Sequence, residues 1–164
     1  MKTFVLMVAK TFPASHPRAG QPTNFEEKIN SINCDLPFPP FNPKIHTIRA
    51  NYELWKKRID QVKAGKAFIS VRQWEGKPYR SKQLECFRFY GDRIGIQKLE
   101  EDGMFYRIDG KYGKFNLLTF SKNDGLSFVD FIHWFPIKCK KKQITEPKRF
   151  ENPMAIIHFT NFKY

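Results

Sequence analysis

The sequence predicts an α+β fold: a small, strongly bent, mixed but mainly antiparallel β-barrel with about three flanking helices. Three observations lead there. Several short strand-like runs crowd the middle third with few helical patterns between them, which argues against a doubly wound parallel sheet. Three segments with helical periodicity and start signals lie mostly outside that block. The chain has 164 residues, 41% of them hydrophobic and 17 of them Phe, enough for one core and a single domain over 1–164.

In chain order, "TFVLMVA" reads as a first buried strand, Phe4–Ala9. The opening "MKTFVLMVAKTF" resembles a signal peptide only superficially, because no small-residue cleavage site follows. Residues 11–43 form a loop-rich part built on "PASHPRAGQP" and "NCDLPFPPFNP", two proline-rich connections expected to be ordered near the barrel mouth. Between them "TNFEEKINSI" has Thr23 and Glu26 at capping-box spacing and Phe25, Ile29 and Ile32 on one stripe. Ile45–Arg49 is the next strand. "NYELWKKRIDQV" follows, with Asn51 as N-cap and Tyr52, Trp55, Ile59 and Val62 aligned. Strands are then expected at Ala67–Trp74, Leu84–Tyr90, Ile94–Leu99 and Met104–Asp109, with turns at Asp102-Gly103 and Asp109-Gly110. "SFVDFIHWF" is the third helix, capped by Ser127 with Asp130 and stopped by Pro136. A basic insertion at 136–152 precedes a last strand, Met154–Phe162.

Charge narrows the partner class. Lys and Arg number 29 against 16 Asp and Glu, a formal +13. Residues 44–82 hold eleven basic and three acidic groups, and residues 138–149 hold six and one, so the whole excess sits in two segments. Charge sorted in this way suits a polyanion such as RNA or a nucleotide, since each cation near a phosphate releases condensed counterions. No run approaches 18 apolar residues, so no membrane span is expected. Cys34, Cys86 and Cys139 are odd in number and lack a CxxC pair, which fits a reducing cytoplasm. The four histidines show no ligand spacing, and neither a metal nor another cofactor is expected.

Candidate site residues follow from local chemistry. "PKIHTIRAN" packs Lys44, His46, Thr47 and Arg49 into one short stretch, either as an edge or as the lip of a site for something polar and anionic. "VRQWEGKPYRSKQ" interleaves Arg72, Trp74, Lys77, Tyr79, Arg80 and Lys82 across a Gly-Pro turn, the mixture that single-stranded bases and phosphates use. His16 and Arg18 in "SHPRAG" are offered as phosphate contacts from a constrained loop, and "KCKKK" as a generic one. Asp124 stands in an Asn-Asp-Gly tripeptide just before the third helix. Trp134 reads as core or rim.

K-x-x-T-I-R at Lys44–Arg49, the amphipathic helix and β-region after it, and the acidic residue ahead of "LSFVDFIHWF" together resemble the ASCH family of the PUA-like superfamily. The likeness spans roughly residues 44–135, and "FPASHPRAGQPTNFEEKI" looks like the N-terminal part of its phage-type members. The resemblance implies a PUA-like barrel that binds RNA or a modified nucleotide in a basic cleft. One branch of the family removes the acetyl group from 4-acetylcytidine, and its Lys, Thr and carboxylate fall on Lys44, Thr47 and Asp124, the last a Glu in those enzymes. In that chemistry a desolvated Lys44 serves as base for the Thr47 hydroxyl, while Arg49 holds a base carbonyl or an oxyanion. Lys44 and Thr47 converge only if the chain bends beside Pro43. A third reading is a phage-borne inhibitor that docks on a host protein through the C-terminal insertion.

Overall fold

A computed structural model describes residues 1–33, 42–102, 105–112, 116–138, 148–150 and 153–164. Cys34, Cys139, Gly103 and nearly all of the Lys138–Lys142 basic run lie outside the described residues. The fold is mixed α+β. Eight strands and four α-helices are present among the described residues: β1 Lys2–Met7, α1 Phe25–Asn30, β2 His46–Ala50, α2 Tyr52–Lys63, β3 Ala67–Trp74, β4 Gln83–Phe89, β5 Gly95–Asp102, β6 Phe105–Ile108, β7 Lys111–Tyr112, α3 Leu117–Asn123, α4 Phe128–Trp134 and β8 Met154–His158.

The strands fall into two sheets, β1-β3-β4 and β2-β8-β5-β6-β7, with no hydrogen-bonded closure between them among the described residues. Only the β1–β3 pair is parallel; the other five pairs are antiparallel. β8 is the central strand of its half of the larger sheet, buried at all five positions and paired with β2 on one side and β5 on the other. Such full burial explains why "MAIIH" runs nearly continuously apolar rather than alternating. α2 covers β3, β5 and β8, so it seals both sheets with Trp55, Ile59 and Val62. The two aliphatic side chains, Ile59 and Val62, each contribute about 1.5–3 kcal/mol of apolar burial.

Local signals explain most boundaries. The Asn51 side chain accepts the Leu54 N–H at 3.1 Å and caps α2, and Ser127 Oγ accepts the Asp130 N–H at 3.0 Å to cap α4. Asp109 and Gly110 both take positive φ, 51° and 78°, as a two-residue turn between β6 and β7 requires. The capping box expected at Thr23 and Glu26 does not form. Asn24 is the N-cap of α1, and Thr23 Oγ1 instead donates to the Ala9 carbonyl at 2.7 Å, tying the entry of α1 to the end of β1. α3 is a helix beyond the three expected; Asn116 caps it by accepting the Leu118 and Thr119 N–H groups. No helix among the described residues is long and apolar enough to cross a membrane.

Candidate functional site

Pro43 leads the chain into a segment held from both sides. The Lys44 N–H donates to the Lys28 carbonyl at the end of α1, and the Ile45 N–H donates to the Asn123 carbonyl at the end of α3, both at 2.9 Å. This bridging turns the Lys44 side chain toward the turn between α3 and α4. There Gly125 adopts φ +77°, and a Cβ on it would lie 3.0 Å from Lys44 Cβ. The glycine is therefore needed twice over, for its backbone angle and for the close passage of the lysine stem. Lys28 fastens the same turn, donating to the Gly125 carbonyl at 2.8 Å and to the Thr23 carbonyl at 2.9 Å.

Lys44 is 1% exposed. Its ammonium donates to Asp124 Oδ1 at 2.8 Å and to the Asp124 carbonyl oxygen, and it lies 4.2 Å from the centre of the Phe25 ring. Burial pulls the Lys44 amine down to about 8, against the opposing pull of Asp124. Burial likewise raises the Asp124 carboxyl, with Lys44 holding it back. Behind the pair stands His46, fully buried, its Nδ1 3.7 Å from Asp124 Oδ1 and its Nε2 2.8 Å from the Tyr164 hydroxyl. Asn123 Nδ2 donates to the same hydroxyl at 2.8 Å. Burial holds His46 well below the usual imidazole range.

In front of the pair is a cavity of about 280 Å³. Its buried end is lined by Phe25, Lys44, Thr47 and Asp124, and its mouth by the exposed Tyr79, Gly76 and Pro78 of the β3–β4 hairpin. Arg49 and the half-buried Trp74 and Trp134 line it as well. Thr47 and Arg49, two apart on β2, share the cavity-facing side of the strand. The bend beside Pro43 brings Lys44 to the same cavity from the preceding segment. Among the described residues, however, the Lys44 ammonium is spent on Asp124, and no hydrogen bond joins it to Thr47. The Arg49 guanidinium donates to the Ile48 carbonyl at 2.8 Å and to the Met7 carbonyl.

The hairpin brings Trp74 and Tyr79 together with ring centres 5.4 Å apart. Tyr79 is 90% exposed and holds φ at 62°, a left-handed conformation unusual for an aromatic residue. Lys77, Arg80 and Lys82 are exposed on the same hairpin without lining the cavity. Arg72 turns away to Ser70 Oγ at 2.8 Å and Gln83 Oε1 at 3.3 Å. His16 is not on an exposed loop surface. It is buried, its Nδ1 accepts the Arg18 N–H at 3.0 Å, and its Nε2 therefore donates to the Asp130 carbonyl at 3.1 Å. Arg18 adds an ion pair to Asp130 at 2.8 Å while its guanidinium lies over Phe12, so both residues clamp the N-terminal loop onto α4.

Sequence reasoning named Phe25 and His46 without giving either a role in the site, and it passed over Lys28, Gly125 and Tyr164. His46 alternates with Lys44 in the same peptide, and Gly125 follows Asp124 in a turn tripeptide, so both carried a readable signal. Tyr164 carried none, because its role depends on a contact with His46 across 118 positions of chain. Among the described residues no three His, Cys, Asp or Glu side chains gather where a metal ion could sit. No family model matches the chain, and no match was found among curated proteins or among solved structures.

Proposed function

We propose that the protein is an ASCH-like, PUA-like barrel module that binds single-stranded RNA or a nucleotide, seating one unit in the cavity and gripping its neighbours with the Trp74–Tyr79 hairpin. The observation that carries this reading is convergence. Polar groups from β2 and the α3–α4 turn share one cavity with the aromatic rings of a hairpin whose outer face is basic. Aromatic faces supply sequence-tolerant stacking of about 1–3 kcal/mol per base, and the nearby cations supply phosphate contacts. Binding of a short single-stranded RNA is expected at ~50 mM salt, with log affinity falling against log salt at a slope of about −2 to −3 for three to four phosphate contacts. Tyr79→Ala is expected to weaken it about 5- to 100-fold with the fold intact, since the ring is exposed. No binding at that salt, measured by fluorescence anisotropy, would remove the reading.

A second reading, hydrolysis of the acyl group on 4-acetylcytidine, is favoured by one observation: the Lys44 amine lies near 8 beside a carboxylate, in a cavity that also holds Thr47. Thr47 Oγ would attack the acyl carbon, Lys44 would take the hydroxyl proton, and the cytosine amine would leave carrying a proton from that Lys44. Water would then release the acyl group from Thr47. The step requires Lys44 to turn from Asp124 to Thr47. Chromatography after incubation with 4-acetylcytidine is expected to show cytidine, at a rate rising with pH through about 8 as the amine loses its proton. Full activity in Lys44→Ala would sink it.

A further inference from the structure

Arg49 differs from the Lys44–Asp124 pair of the cavity, and from Lys10, an exposed lysine of the lining whose ammonium donates to the Glu75 carbonyl at 3.2 Å. Lys44 and Asp124 neutralise one another at 2.8 Å, whereas the Arg49 guanidinium meets only the carbonyl oxygens of Met7 and Ile48 and has no carboxylate within ion-pairing distance among the described residues. Asp124, the carboxylate lining the cavity, reaches it only at longer range. Thr47, two residues back on the same face, presents a hydroxyl that no protein group engages among the described residues. A half-desolvated cation with an adjacent free hydroxyl is completed by an oxyanion. A neutral base carbonyl there would satisfy a hydrogen bond but leave the charge uncompensated. The aromatic surface toward the mouth is the hairpin pair of Tyr79, exposed, and Trp74, 5.4 Å from it, where a planar base can stack.

We propose that the cavity takes its ligand phosphate-first: a phosphate group sits against Arg49 and Thr47, and the attached base lies outward against the hairpin aromatics. This rests on the nucleotide-binding reading and assigns an orientation to it. The phosphate has two possible sources, a terminal phosphomonoester or the internal phosphodiester of a strand.

Calorimetric titration of the full chain with cytidine, cytidine 5′-monophosphate and the dinucleoside monophosphate CpC separates them. A ligand bearing phosphate is expected to bind about 10- to 100-fold more tightly than cytidine. A preference for the monophosphate makes the seat one for a chain end; a preference for CpC makes it one for a strand interior. Arg49→Gln is expected to bring the preferred ligand down to the affinity of cytidine, with Arg49→Lys intermediate because it keeps the charge and loses the fork. Equal affinity of all three ligands overturns the phosphate-first orientation and leaves nucleotide binding standing, as does retention of the preference in a folded Arg49→Gln. Should that variant fail to fold, the comparison of the three ligands on the unaltered chain still decides. No binding of any of them, nor of RNA, overturns both.

Discussion

Replacing Asp124 with Ala is expected to cost about 3–5 kcal/mol of stability, because it leaves the Lys44 ammonium buried without its counter-charge. Both side chains are almost wholly shielded, at 1% and 5% exposed, so water cannot take over the lost partner. For a chain of this size, the loss lowers the melting temperature by roughly 10 °C. The deficit should shrink as pH rises. The amine is already held down near 8 with its partner present, and without it the native state binds that proton still less readily than the unfolded chain, whose lysines titrate near 10.5. Stability of Asp124→Ala therefore rises by up to about 1.4 kcal/mol per pH unit, and it gains on the parent only below about 8, where the parent's Lys44 still holds its proton; above that the two rise together. The double variant Lys44→Met with Asp124→Leu is expected to recover most of the stability. Urea midpoints at pH 7, 8 and 9 test both statements. A single variant as stable as the parent would mean that the pair is not the keystone of the α3–α4 turn.

Acid is expected to unfold the protein through two histidines. His158 is fully buried on β8, and neither ring nitrogen has a hydrogen-bond partner among the described residues. Burial lowers it to about 4, and burial holds His46 well below its ordinary 6.5. Between about pH 6.5 and 4 the unfolded chain binds protons that the native chain refuses, so stability falls as pH falls through that window. His158 alone contributes a loss on the order of 3 kcal/mol by its lower end. Asp124, raised by burial, has the opposite sign and offsets part of the slope. His158→Leu should flatten the dependence and be at least as stable at pH 7, since an unsatisfied ring gives way to an apolar group on the same strand. Urea midpoints at pH 7.5, 5.5 and 4.5 supply the measurement. An unchanged midpoint across that range would contradict it.

Much of the fold was legible because its signals are local. β3 was readable to the residue, since β-branched and aromatic side chains fill "AFISVRQW" and Gly65 precedes it. α2 was equally clear from Asn51 and an apolar stripe. Where two local options competed, sequence reasoning chose wrongly: Thr23 had capping-box spacing, but a bond to the end of β1 outweighed it. β7, a strand of two residues, is too short for alternation to register. The separation into two sheets depended on which strand edges meet, a choice between non-local pairings that no window of sequence contains.

The site divides along the same line. Sequence alone determined that Lys44, Thr47 and Arg49 share one short peptide, that positive charge is concentrated around it, and that an aromatic hairpin with basic neighbours lies further on. Only the tertiary structure decided that the hairpin closes over that peptide, that Asp124 takes the Lys44 ammonium, and that His16 serves the core. The physical reason is that residue types set what a side chain can do, whereas burial and partners set what it does. For Lys44 and His16 those come from segments 80 and 114 positions away.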